Sequence, residues 1–157
     1  MAQIGEGKTA PLFTLQAHTG ERIALKDFQA KKNVVLFFYP KASTSGCTKE
    51  AVSFRDLADK FRRAGAVILG VSADAVDAQV KFAEKNDLNY PLLSDVDTKV
   101  CEKYGVWQEK SMYGRKFMGI VRSTFVIDKA GKIAKVWPKV SVTGHAEEVL
   151  EFVKGLK

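Results

Sequence analysis

Val34-Val35-Leu36-Phe37-Phe38-Tyr39-Pro40-Lys41-Ala42-Ser43-Thr44-Ser45-Gly46-Cys47-Thr48-Lys49-Glu50-Ala51-Val52-Ser53-Phe54-Arg55-Asp56 is the stretch that decides the fold. Its apolar run, β-branched and aromatic, stops at a proline, and such a run reads as a strand buried on both faces. A short polar loop follows. From Ala51 the apolar residues fall at Phe54, Leu57, Ala58 and Phe61, one face of a helix expected from about Thr48 to Arg63. Cys47 therefore sits where a central parallel strand hands over to a helix. In open α/β sheets that end of the strands is where ligands bind.

The position gives Cys47 its chemistry. A helix N-terminus carries unsatisfied N–H groups and the positive end of the backbone dipole, and both favour thiolate over thiol. Cys47-Thr48-Lys49-Glu50 has the spacing of a capping box with sulfur in place of the hydroxyl. Gly46 leaves the backbone open to close approach. The competing reading makes Cys47 a small core residue, since buried, inert cysteines are common. A dithiol oxidoreductase needs Cys-x-x-Cys here, and Thr44 stands at the first of those positions. What remains is one thiolate, with a hydroxyl upstream that can hydrogen-bond a substrate.

Phe38-Tyr39-Pro40-Lys41 followed by Thr44-x-x-Cys47-Thr48-x-Glu50 resembles the peroxiredoxins, in their bacterioferritin comigratory protein or peroxiredoxin Q branch. The similarity runs over nearly the whole chain. It includes Leu69-Gly70-Val71-Ser72, Leu93-Ser94-Asp95, Tyr104-Gly105-Val106 and Gly119-Ile120-Val121-Arg122-Ser123-Thr124-Phe125. The resemblance implies a thioredoxin-like α/β fold, a central mixed sheet with helices on both faces and an N-terminal β-hairpin, in a single domain over 1–157. It implies a thiol-dependent peroxidase in which Cys47 attacks hydrogen peroxide or an organic hydroperoxide and becomes a sulfenic acid. Thr44 and Arg122 join Cys47 in the site, with Pro40, Gly46 and Glu50 supporting. No metal or organic cofactor is implied. The implied reductant is thioredoxin, a glutaredoxin-type donor or a small thiol, and the implied state is a monomer.

Two departures from the pattern matter. The family usually has proline before the loop glycine, where this chain has Ser45. Many members carry a second, resolving cysteine at the position of Val52, or in the next helix near Ala83, and neither is cysteine here. The chain is then a one-cysteine variant, or Cys101 resolves, or a cysteine has been replaced. Cys101 lies beside Val100 and three residues before Tyr104, a pattern that packs it against the sheet. As a resolving thiol it would need its Cα within roughly 7 Å of that of Cys47. A non-enzymatic reading, a redox-sensing or chaperone-like binding protein, differs in predicting slow reaction of Cys47 with peroxide.

Bulk properties agree with one domain. The chain has 157 residues, 46% hydrophobic and 27% charged. No apolar run approaches the ~20 residues of a membrane helix, and the N-terminus lacks a signal-peptide pattern. Two cysteines do not make a disulfide scaffold, and a reducing cytoplasm is expected. The net charge of +7 is spread over scattered lysines, which reads as a solvated basic surface rather than a nucleic-acid site.

The remaining elements follow from pattern. Pro11–Leu15 and Ile23–Leu25 flank a Gly20 turn as a hairpin, with His18 exposed at the turn. Gly65 stops the long helix, and Val67–Ser72 is a second parallel strand. Asp74 suits an N-cap for a helix ending near Asn86. Leu92-Leu93 is a short strand, and Asp95 and Asp97 open a helix closed by Gly105. Trp107 to Gly119 reads as loop. Arg122–Asp128 and Ile133–Trp137 are antiparallel strands, and a last helix follows Gly144, with His145 just before it in a structural role. With no His or Cys pairs at ligand spacing, no metal site is expected.

Overall fold

The computed structural model describes residues 3–156. In chain order the elements are β1 (Thr14–Ala17), β2 (Arg22–Ala24), a 3-10 turn (Leu25–Phe28), β3 (Asn33–Phe38), α1 (Ser45–Arg63), β4 (Ala66–Ser72) and α2 (Val76–Lys85). Then come β5 (Leu92–Ser94), α3 (Lys99–Lys103), β6 (Trp107–Met112), β7 (Arg115–Ile120), β8 (Ser123–Ile127), β9 (Ile133–Trp137) and α4 (His145–Lys154). One sheet has the order β2-β1-β5-β4-β3-β8-β9, and β6 and β7 form a ribbon of their own. β3, β4 and β5 run parallel, while β1, β8 and β9 pair antiparallel. The fold is the expected thioredoxin-like mixed sheet.

Every residue of β3 is buried, as its unbroken apolar run requires. Alternate side chains enter different cores. Val35, Phe37 and Tyr39 pack with Phe54 and Phe61 of α1, Phe82 of α2 and Val149 and Val153 of α4. Val34, Leu36 and Phe38 pack on the other face with Val100 and Cys101 of α3, Tyr104 and Phe125. The sheet thus separates two hydrophobic layers. Gly65 ends α1 at φ 81°, a conformation only glycine adopts cheaply.

Four expectations are corrected. α1 begins at Ser45, not near Thr48, so Cys47 is its third residue and Thr44 its N-cap. The capping box is therefore absent, and the Glu50 carboxylate is engaged by Arg122 instead. Asp74 is not an N-cap. Ala75 holds that place, while Asp74 accepts hydrogen bonds from Ala42 N–H at 2.8 Å and from the Ser72 hydroxyl at 2.7 Å. Residues 107–119 are not loop but the β6–β7 hairpin, closed by Tyr113 and Gly114, both at positive φ. Its outer part is exposed on both faces, so no one-sided apolar alternation marks it.

Two histidine expectations are corrected as well, since His18 is not exposed and His145 does not precede the last helix but begins it. His18 is half-buried and ties the hairpin to β5, with its Nδ1 accepting the Leu92 N–H at 3.0 Å. His145 is the buried first residue of α4 and shares a 2.8 Å hydrogen bond with Thr124. Among the described residues no helix is long and apolar enough to cross a membrane.

Candidate active site

The site is assembled where β3 ends. Tyr39 N–H still reaches Val71 O at 3.0 Å, and Pro40, with no N–H, stops the pairing. The chain then turns through a loop fastened at several points. Asp74 holds Ala42 N–H from the mouth of β4. Ser43 takes a left-handed φ of 66°. The Thr44 hydroxyl donates to Lys41 O at 2.8 Å, and Thr48 N–H makes the first helical bond to Thr44 O at 2.9 Å. A buried relay backs this loop: Tyr39 donates to Gln79 Oε1, and Gln79 Nε2 donates to Ser72 Oγ and Leu93 O.

Cys47 lies in the first turn of α1, where N–H groups have no helical acceptor, and no acidic residue of that turn neutralises the positive end of the dipole. Its side chain is buried, with the residue 1% exposed. Arg122, the residue just before β8, reaches it. The register Phe38↔Ser123 sets Arg122 beside the end of β3, and Val140 N–H fixes its carbonyl at 2.9 Å. The guanidinium donates through Nη2 to Cys47 Sγ at 3.4 Å and through Nη1 to Glu50 Oε1 at 2.7 Å. Cys47 and Glu50, three apart, share one helix face, so one planar fork serves both.

Glu50 is fully buried. Burial raises its carboxyl to about 7 even though Arg122 pulls the other way. Its second oxygen, Oε2, has no hydrogen-bond partner among the described residues. Gly46 leaves room for a close approach. A Cβ there would stand 3.1 Å from Arg122 Nη2. Pro40 and Arg122 line a hollow of about 570 Å³, together with Lys110 of β6, Val121, Lys139 and Val140. Lys110 is half-buried. Its ammonium is destabilised by burial and by Arg122, while Cys47 acts in the opposite sense.

The structure thus gathers Cys47, Arg122, Glu50, Gly46, Pro40 and Thr44, and leaves Cys101 apart. Cys101 is in the core on the other face of the sheet, with its N–H bound to Asp95 at 2.8 Å. Burial and the Asp95 carboxylate push its thiol well up, away from thiolate. Ala83, by contrast, lies in the same core as Cys47. From sequence, 107–119 reads as a loop whose cations either line an entrance to the site or cover sheet and helix ends, and that reading does not single out Lys110, which the ribbon brings to the hollow. Sequence reasoning missed the role of Asp74 because Ser72-x-Asp74 at the end of a parallel strand also fits a helix start.

Residues 6–136 match the AhpC/TSA family. The chain belongs to the peroxiredoxins. It is 51% identical to the putative peroxiredoxin bcp of Coxiella burnetii, over 92% of this chain and 95% of that protein. Peroxiredoxin Q of Xylella fastidiosa superposes with a TM-score of 0.92 at 35% identity, covering 98% of each chain. The bacterioferritin comigratory protein of Xanthomonas campestris, described through its alkyl peroxide reduction activity, gives 0.86 at 40% identity and covers 90% of each. As a peroxiredoxin the protein is a thiol-dependent peroxidase, an oxidoreductase.

Proposed function

We propose that the protein reduces hydrogen peroxide and organic hydroperoxides through Cys47 as a one-cysteine enzyme. The observation that carries this reading is the single guanidinium spanning the Cys47 sulfur and the buried Glu50 carboxylate. The thiolate attacks the terminal peroxide oxygen in line. The S–O bond forms as the O–O bond breaks, and the leaving oxygen departs as water or alcohol after taking a proton. Arg122 N–H and the free amides of the first helical turn stabilise the charge that moves onto that oxygen. Thr44 Oγ1, whose proton is committed to Lys41 O, has lone pairs left to accept the peroxide O–H.

The product is a Cys47 sulfenic acid. The family resemblance leads one to expect a resolving thiol at the position of Val52 or near Ala83, neither is cysteine, and Cys101 lies across the sheet, so in this reading an external thiol returns Cys47 to its reduced form. The reading includes a monomer working where thiols are kept reduced. Peroxide consumption with a thiol donor tests it. Cys47→Ser is expected to abolish turnover, and retained activity would refute the assignment. One equivalent of peroxide should add one oxygen to Cys47 by mass spectrometry, with no Cys47–Cys101 bridge.

A further inference from the structure

The β6–β7 ribbon shares no strand pairing with the main sheet. Past its base it carries large apolar side chains in water: Met112 is 59% exposed, Tyr113 98%, Phe117 43% and Met118 49%. Lys110, Arg115 and Lys116 alternate with them, against the single acid Glu109. The register pairs Lys110 with Phe117 and Met112 with Arg115 on one face, and Glu109 with Met118 and Ser111 with Lys116 on the other. On the face that carries Lys110, Met112 and Phe117 lie between Lys110 and Arg115 with no acid beside them, while Glu109 pairs with Lys116 at 3.8 Å on the other face. That first face, an apolar patch rimmed by one sign of charge, has the composition of an interaction surface. It is continuous with the hollow at Pro40 and Arg122 through Lys110.

The site itself calls for a partner there. The Cys47 sulfur is buried, and among the described residues the other thiol lies on the far side of the sheet. Electrons therefore come from outside, and a thiol held at the rim has an effective concentration that free collision does not give. A ribbon two strands wide offers little area, which suits the small, transient interfaces of redox partners. Its cations select a partner with an acidic rim. A lipid surface would meet the same side chains but would supply no electrons.

We propose that the β6–β7 ribbon is the docking surface for an acidic dithiol protein of thioredoxin type, a proposal that rests on the peroxidase reading above. One partner thiol attacks the Cys47 sulfenic sulfur, forming a mixed disulfide and releasing water. The second partner thiol attacks that disulfide, leaving the partner oxidised and Cys47 as thiolate.

The test compares hydrogen peroxide turnover supported by thioredoxin, its reductase and NADPH with turnover supported by dithiothreitol. In Met112→Ser/Phe117→Ser and in Arg115→Glu, all on the face that carries Lys110, the ratio of thioredoxin-supported to dithiothreitol-supported kcat/KM is expected to fall about tenfold. Leu12→Ser, an exposed apolar residue elsewhere, is expected to leave the ratio unchanged. Calorimetric titration of each variant with thioredoxin, independent of turnover, should show the same weakening. Absence of any peroxide turnover in the wild type sinks the peroxidase reading, and the titration then decides the docking surface alone. An unchanged ratio and affinity in the ribbon variants, an equal loss in Leu12→Ser, or no use of thioredoxin by the wild type overturns the proposal. So does ribbon-dependent binding to phosphatidylglycerol vesicles with the thioredoxin ratio intact.

Discussion

The guanidinium of Arg122 acts on two groups at once, through different nitrogens. Its bond to Glu50 fixes its plane, and its bond to Cys47 is the one that serves chemistry. Arg122→Gln removes the charge, and kcat/KM for hydrogen peroxide should fall by about 10²–10³, the usual cost of losing one transition-state donor. Gly46→Ala separates activity from stability. Alanine favours a helix over glycine by roughly 1 kcal/mol, yet its methyl would press on Nη2 from 3.1 Å. Thermal melting should hold steady or rise while kcat/KM falls about tenfold, a loss equal to ~1.4 kcal/mol of barrier.

Glu50 titrates in a measurable window. Its folded carboxyl is raised to about 7 from an ordinary 4.5, with burial as the main cause. Between those values the folded protein holds the proton that the unfolded chain has lost. Its contribution to stability is then full below about 4.5 and is lost as pH rises through about 7. Chemical denaturation across that range should show the decline, and Glu50→Gln should flatten it.

At the scale of elements, the loop from Pro40 to Thr44 is held from a neighbouring strand. Asp74→Ala leaves Ala42 N–H and the Ser72 hydroxyl without their acceptor. A loss of about 1–3 kcal/mol in denaturant unfolding is expected, with reduced kcat/KM, because the loop carries Thr44 and feeds into Cys47. What was legible in the sequence follows from burial. β3 and β4 declared themselves because both their faces are covered, and α4 because one of its faces is. The β6–β7 ribbon did not, since neither outer face is covered and Tyr113-Gly114 replaces the usual Asn-Gly or Asp-Gly turn. The true start of α1 was hidden by Ser45 and Gly46, both weak helix formers. Cys47 and Arg122, 75 residues apart, were joined only through the motif they share with relatives. Lys110 and Asp74 depend on contacts that no local pattern records.

At the scale of the molecule, the division into two cores governs the redox cycle. Cys101→Ala should keep full peroxide turnover, since its sulfur is on the wrong side of the sheet. Ala83→Cys puts a thiol into the core that Cys47 occupies. One equivalent of peroxide should then yield an internal disulfide with loss of water, read as a mass decrease of about 2 Da against the reduced chain. That variant should also resist conversion to sulfinic acid at excess peroxide, to which a lone sulfenic acid is prone.

The same partition gives the protein two clocks. With an alkylating reagent, Cys47 labels at the rate at which the first turn of α1 frays. Cys101, walled in behind the strands, labels only when the whole chain comes apart. Labelling of the two sulfurs in one sample would thus time local breathing against global unfolding, with no probe added.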